Sequence, residues 1–254
     1  MRRKINFWLW LSVMTVWPAA ISLTQNRSAP NLEAEHRLFD LALQKHVQDG
    51  LVDYQAMARE QNFQKYVNWL KSVDAASFNS KTEELAFWIN AYNALAIQGV
   101  ITSYPLESVL KAPGFFNKKK HPVARQQLTL DQIEKGVIFR KFKNPKLHFV
   151  LVCAARSCPN LPDRAYSSEN VFDRIEEVAR IFLNNPQKNR LDRENKIFYL
   201  SQIFNWYQKD FLSENRSILN FIRPYLEQEK QVFLAENPVT IKYLEYDWNL
   251  NSQQ

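Results

Sequence analysis

The residues best suited to chemistry lie in one stretch, residues 146–162. It contains both cysteines of the chain, Cys153 and Cys158, and one of its four histidines, His148. A cysteine becomes a good nucleophile when a base lies within reach and a third group orients that base. The stretch therefore offers a candidate nucleophile, Cys153, and a candidate base, His148, with His121 as the alternative base.

Three further side chains could serve the same reaction. Glu134 lies beside the inward face of the helix predicted over residues 129–139, so we expect its carboxylate to orient or charge-balance His148. Asn90 and Asn93 are one turn apart on an apolar helix, and their amides could support an oxyanion. The alternative is that both amides bind the backbone of packed loops, as buried polar groups usually do.

The two cysteines also allow other interpretations. Four residues separate Cys153 from Cys158, so a disulfide between them would close a short loop and add about 2 kcal/mol in the chain-entropy model. With His148 they have ligand types that suit zinc, but four closely spaced ligands are missing, so we expect neither a metal nor a cofactor. Ser157 is not in a GxSxG turn, and it is a candidate for binding or oxyanion support rather than for attack.

The elements that must position these residues can be predicted from periodicity. The apolar run 147–152 predicts a buried strand with the cysteine loop at its carboxyl end. Residues 84–101 are apolar nearly all round and follow the capping box Ser80–Glu83, which predicts a buried central helix. Residues 190–200 predict a hairpin and 239–243 a last strand. We therefore expect an α+β domain whose central helix packs on a small, mostly antiparallel sheet.

The beginning of the chain has the pattern of a signal segment. Basic residues 2–4 precede an apolar run, residues 5–20, so residues 1–24 are predicted to be a signal peptide or an N-terminal membrane anchor. Residues 25–31 form a polar linker, and 32–254 a single domain. Without residues 1–24 the formal net charge of +7 becomes 7 − 3 = +4. We expect an exported protein, periplasmic or extracellular, that touches a membrane only through residues 5–20.

Composition and motifs argue against two classes of partner. The chain has only 4 glycines and neither a GxGxxG nor a GxxxxGK[ST] motif, which argues against nucleotide phosphate loops. The lysine run 118–120 lacks interleaved aromatic residues and is interpreted as a solvated loop, so no nucleic-acid partner is expected.

Five motifs together resemble one known family, the domain-of-unknown-function family 547. In chain order they are Phe87–Ala94, Leu130–Glu134, His148–Pro159, Leu200–Phe211 and Tyr246–Asn249. The resemblance runs over residues 36–249 and implies a single domain, in which Cys153, His148 and Glu134 fall on matching family positions. The layout is similar, more distantly, to papain-like and transglutaminase-like folds. Those folds begin the central helix with the nucleophilic cysteine, and the central helix here has none.

Two functions are consistent with these observations. The first is a thiol-dependent hydrolase or transferase acting on an amide or thioester bond of an unknown small molecule, peptide or envelope component. The alternative is a non-catalytic binding or scaffold domain at the cell envelope, in which Trp206, Tyr207, Tyr246 and Trp248 line a groove. These four rings could instead pack in the core.

Overall fold

Helices dominate the computed structural model of the chain, which describes residues 32–213 and 215–253. The first elements are α1 (Leu32–His46), β1 (Val47–Gln48), β2 (Leu51–Val52), α2 (Tyr54–Arg59), α3 (Gln61–Leu70) and α4 (Lys81–Ile101). Next come a 3-10 turn (Val109–Lys111), β3 (His121–Val123), β4 (Gln126–Leu128), a π-helix (Gln132–Phe139), α5 (Arg140–Phe142) and a second 3-10 turn (Pro145–Phe149). The last elements are α6 (Val171–Asn184), β5 (Arg190–Asp192), β6 (Ile197–Leu200), α7 (Ile203–Trp206), α8 (Gln208–Leu212), α9 (Ile218–Ile222), a 3-10 turn (Arg223–Tyr225), α10 (Gln228–Glu236) and β7 (Thr240–Tyr243).

Helix α4 is the centre of the core, as predicted. Ser80 caps it, because its hydroxyl accepts a hydrogen bond from the backbone N–H of Glu83 at 3.0 Å. Sixteen of the 21 residues of α4 are buried, which requires neighbours on every side. These neighbours are α1, α2, α3, α6 and the π-helix. Burial of a large side chain such as Phe87 or Trp88 contributes roughly 2 kcal/mol, so α4 supplies much of the stability of the fold.

The strands form three small sheets. Strands β1 and β2 pair antiparallel, as do β3 and β4, and the third sheet has the order β5-β6-β7. In that sheet β5 and β6 are antiparallel, whereas β6 and β7 are parallel. The α+β class is confirmed, and the predicted hairpin and last strand are present as β5–β6 and β7. The papain-like resemblance is not confirmed.

The strand predicted over residues 147–152 is wrong. Its first half is the 3-10 turn Pro145–Phe149, and an irregular segment follows. The backbone carbonyl of Val150 and N–H of Val152 bind the side chain of Asn93, at 2.9 Å each, where a strand would bind a neighbouring strand. Apolar runs of this length do not distinguish a strand from another buried segment.

One hydrophobic core extends along the described chain from Leu32 to Leu250. The predicted signal segment 1–24 and linker 25–31 lie outside the described residues. Within residues 32–213 and 215–253, no helix combines the length and the apolar character needed to cross a bilayer.

Candidate binding cavity

A cavity of about 450 Å³ lies beside the π-helix and the cysteine loop. The end of α7 and the segment after β7 close it from the other side, which brings residues from distant parts of the sequence together. Its wall is mostly apolar and contains the aromatic residues Tyr92, Phe115, Phe116, Trp206, Tyr207, Tyr246 and Trp248. Its polar lining includes Asp131, Glu134, His148 and the two cysteines. Three of the residues predicted for catalysis, Cys153, His148 and Glu134, therefore meet in one place.

Glu134 is the buried acid of the cavity. It lies on the π-helix and is only 8% exposed. The hydroxyls of Tyr92 and Tyr207 donate hydrogen bonds to its two carboxylate oxygens, at 3.3 and 3.2 Å. Burial raises the pKa of Glu134, and it outweighs the opposing effects of Lys135 and of the two phenols. π-helical geometry is rare, and the single π-helical turns found inside α-helices occur frequently at functional sites, so the backbone geometry here is consistent with a functional position.

His148 is fixed inside the protein and is held neutral. Its ring stacks between Phe139 and Tyr207, with centroids 4.1 and 3.9 Å away. Its Nε2 lies 2.8 Å from the Asp210 carboxylate. Burial nevertheless lowers the pKa of His148 to about 4, against the opposing pull of Asp210. The hydrogen bond of this ring goes to Asp210, and not to Glu134 or to a sulfur, so the predicted relay from Glu134 through His148 is not assembled in this structure.

Cys153 and Cys158 are joined by a disulfide with an S–S distance of 2.13 Å. The Cys153 sulfur lies 3.3 Å from the Tyr246 hydroxyl. A disulfide sulfur has no thiolate to attack with, so the nucleophile predicted at Cys153 is absent in this state. Of the two interpretations that the sequence left open, the structure contains the disulfide.

The two asparagines of α4 bind the backbone of neighbouring segments and are not free to act as oxyanion donors. Asn90 donates to the Tyr166 carbonyl at 2.7 Å and accepts from the Tyr166 N–H at 2.9 Å. Asn93 binds Val150 and Val152 in the same two-sided way. Both amides are buried, at 1% and 2% exposed, and their carbonyl and amino groups are already occupied by backbone. The oxyanion role predicted for them is therefore replaced by a structural one.

Ser157 has a role that the sequence did not indicate. Its hydroxyl accepts a hydrogen bond from the Asp247 N–H at 2.8 Å, and its own N–H donates to the Asp247 carbonyl at 3.1 Å. These bonds tie the cysteine loop to the segment that carries Tyr246 and Trp248. Ser157 thus holds a cavity wall in place and does not itself line the cavity.

The other histidines lie away from the cavity. His36 Nδ1 is 3.0 Å from the Tyr66 hydroxyl, and His46 Nε2 is 3.2 Å from Glu60. His121 is buried in β3, and burial lowers its pKa to about 4. The alternative base His121 is therefore not at the site.

Three aromatic side chains form a continuous wall of the cavity, which we call the aromatic wall: Trp206, Tyr246 and Trp248. Their ring centroids are 4.7 Å apart for Trp206 and Tyr246, 4.7 Å for Tyr246 and Trp248, and 5.7 Å for the two tryptophans. Trp206 is 47% exposed. These rings contact one another and also face open space, so they belong to the groove that the sequence offered as an alternative to core packing.

Comparison with known proteins identifies one family. Residues 76–183 match the family model described as "Protein of unknown function, DUF547". The matched segment is shorter than the span of the five motifs, and it contains Tyr92, Glu134, His148 and the disulfide but not the aromatic wall. No curated protein sequence and no solved structure matches the chain.

Proposed function

Since the chain is a DUF547 domain-containing protein, and the description of that family assigns no activity, we propose a function from the cavity itself. The domain binds a small molecule in the cavity between the π-helix and the aromatic wall, and it does so with its disulfide formed. This is the non-catalytic alternative among the two functions that the sequence suggests.

The composition of the cavity is the observation that carries this proposal. Ligand pockets typically have volumes of roughly 300–1,000 Å³, apolar and aromatic walls, and a few polar groups that converge. The cavity has about 450 Å³, an aromatic wall and the convergent polar groups Glu134 and His148. Their partners Tyr92, Tyr207 and Asp210 hold both groups in fixed positions before any ligand arrives. Such pre-organisation lowers the cost of binding.

Tryptophan fluorescence tests the proposal directly, because Trp206 and Trp248 line the cavity. The oxidised protein is titrated with water-soluble benzyl compounds of positive, neutral and negative charge. We expect at least one class to bind and to change the fluorescence. Trp206→Ala should weaken that binding by about tenfold, the order of one lost aromatic contact.

Phe172→Ala is the matched control for this titration. Phe172 is 52% exposed, close to the 47% of Trp206, but it lies on α6 and does not line the cavity. Its truncation should leave binding unchanged. The proposal fails if no probe binds at millimolar concentration, or if the two truncations have the same effect.

A thiol-dependent hydrolase or transferase is the second candidate, because Cys153, His148 and Glu134 line the same cavity. This function needs the disulfide to be reduced by an external dithiol, which supplies two electrons and two protons, becomes a disulfide itself and leaves Cys153 and Cys158 as free thiols. Cys153 would then attack an amide or thioester carbonyl, forming a thioester with the enzyme and expelling the amine or thiol of the substrate. Water, for a hydrolase, or a second nucleophile, for a transferase, would cleave this thioester and restore the Cys153 thiol. His148 would have to leave Asp210 to take up the proton.

Turnover of an activated thioester distinguishes the two candidates. Oxidised and reduced protein are compared with Cys153→Ala. Binding without turnover in both redox states supports the primary proposal. Turnover that appears only on reduction and disappears in Cys153→Ala would favour the thiol enzyme instead.

We propose that the domain acts outside the cytoplasm. Disulfides persist mainly in oxidising compartments, and the predicted signal segment 1–24 supports the same location. Cell fractionation with N-terminal sequencing tests this proposal, which fails if the full chain is found in the cytoplasm with both thiols free.

A further inference from the structure

We propose that the ligand of the cavity is an organic cation, an ammonium group carrying an apolar body, with its charge directed toward Glu134. This inference rests on the proposed function and names the chemical class of its ligand. It combines the charges of the lining, the surroundings of Glu134 and the aromatic wall.

The charged residues that line the cavity are acidic. They are Asp131 and Glu134, and no lysine or arginine of the described chain lines it. His148 is neutral near pH 7, because burial lowers its pKa to about 4. The protein as a whole has a formal net charge of +7, so the sign inside the cavity is opposite to that of the molecule. A ligand with a positive charge is the complement of this lining.

Glu134 lacks a cationic partner within the part of the chain that the structure describes. Its hydrogen-bond donors are the hydroxyls of Tyr92 and Tyr207, which are neutral near pH 7, since burial raises the pKa of both phenols further above their ordinary value of 10.0. The neighbouring Lys135 places its ammonium group 3.0 Å from Asp131 instead. A buried carboxylate without a counter-ion is costly. A cation in the cavity would neutralise it.

The aromatic wall favours the same class of ligand. Tryptophan and tyrosine faces attract cations within about 6 Å of the ring centroid. Trp206, Tyr246 and Trp248 lie side by side on this wall, so they can contact both an ammonium group and the apolar body attached to it. A neutral aromatic ligand would contact the rings and leave Glu134 unchanged, whereas an anion would be repelled by the Glu134 carboxylate.

A bare metal ion fits the cavity less well. Calcium and magnesium need six or more oxygen ligands, and the wall here is mostly carbon. The described residues contain no group of three histidine, cysteine, aspartate or glutamate side chains arranged to hold a metal.

The test compares three probes of similar size: benzyltrimethylammonium, benzyl alcohol and phenylacetate. Their dissociation constants are measured on the oxidised, full-length protein by tryptophan fluorescence and by ligand-observed NMR. We expect the cation to bind at least about tenfold more tightly than the neutral alcohol, and the anion to bind most weakly. This ranking is measured on the unaltered protein and does not depend on the folding of a variant.

Glu134→Gln should then reduce the affinity for the cation by about tenfold and leave the affinity for benzyl alcohol unchanged. Glu84→Gln is the matched control. Glu84 is 9% exposed, against 8% for Glu134, but it pairs with Lys141 and lies outside the cavity lining. It should leave all three affinities unchanged.

The possible failures can be told apart. If benzyl alcohol binds as tightly as the cation, or if Glu134→Gln does not change the preference for the cation, the inference is overturned and the proposed binding function stands. If none of the three probes binds, the proposed function fails as well.

Discussion

Glu84 and Glu134 are two buried carboxylates of nearly equal exposure with opposite surroundings. Glu84 lies in the first turn of α4 and forms an ion pair with Lys141 of α5. Glu134 faces the cavity and has two neutral phenols as its partners. The exposed fractions of the two residues are 9% and 8%, so burial alone does not explain why one has a cation and the other does not.

The difference separates structural polar groups from groups that are left for a ligand. At the start of α4 the protein provides the neutralising charge itself, and the interaction is complete without any other molecule. At the cavity it provides donors that orient the carboxylate but do not cancel its charge. Removing a complete interaction should therefore destabilise the fold, whereas removing the charge of Glu134 should not. Substitutions at both kinds of group test this distinction.

The largest effect is expected at Asn93, whose interactions are all internal. Asn93→Ala leaves the Val150 carbonyl and the Val152 N–H buried without a partner, at about 1–3 kcal/mol for each group. We expect the free energy of unfolding to fall by about 3 kcal/mol and the melting temperature by about 6–12 °C. Calorimetry measures both. Asn205→Ala, at an exposed site, is the control. A loss below about 1 kcal/mol at Asn93 would contradict a structural role for its two backbone hydrogen bonds.

The disulfide should contribute less than Asn93, because it closes a short loop that Asn93 already holds at its start. Reduction of Cys153–Cys158 should lower the free energy of unfolding by about 2 kcal/mol. Thermal unfolding with and without a non-thiol reductant measures this effect. Cys153→Ser combined with Cys158→Ser should unfold at the temperature of the reduced protein. Unfolding of the reduced form at room temperature would mean that the disulfide, and not Asn93, organises the loop.

The central helix and the segment before the cysteine loop differ in how well the sequence predicts them. The capping box at Ser80 and the all-round apolar pattern of residues 84–101 predict α4 correctly, because both signals are local. The strand predicted at 147–152 fails because its backbone partner is the side chain of Asn93, more than 50 residues away. No periodicity in the run itself reports that contact.

The cavity was predictable only in part. Residue type alone identifies Cys153, His148 and Glu134 as candidates, and all three line the cavity. Their roles were not predictable, because these depend on Asp210 and Tyr207, which reach the site from a later part of the chain. The π-helix is likewise invisible in sequence, since its apolar spacing resembles that of an α-helix.

A smaller effect is expected when the ion pair at the start of α4 is broken. Lys141→Met leaves Glu84 without its cation, but the Lys141 side chain is 49% exposed and water screens the pair. We expect a loss of about 1 kcal/mol at low ionic strength, and less at high salt. Lys111→Met, which breaks an exposed pair with Glu107, should cost less. Equal losses of unfolding free energy for the two variants would show that the burial of Glu84 does not make its ion pair more stabilising than an exposed pair.

Glu134 should show the smallest effect on stability, and one of opposite sign. Glu134→Gln removes a buried charge and keeps a side chain that Tyr92 and Tyr207 can contact, so the variant should be as stable as the parent protein at pH 7 or up to about 1 kcal/mol more stable. The reason is that the folded-state pKa of Glu134 is raised above its ordinary value of 4.5. The native protein therefore binds more protons than the unfolded chain between these two pKa values.

The pH dependence of this difference follows from the same linkage. The penalty for ionising Glu134 is fully present above its folded pKa, decreases as the pH falls, and is absent below 4.5. The groups that face this carboxyl, Tyr92, Tyr207, Asp131 and Lys135, remain the same in both proteins, so their titrations largely cancel in the comparison. Melting temperatures of the parent and the Gln variant at pH 7 and pH 4 should therefore converge at the lower pH. If Glu134→Gln instead destabilises the protein at pH 7 by as much as Lys141→Met does, the charge of Glu134 stabilises the fold. It is then not an unpaired charge that is available to a cationic ligand.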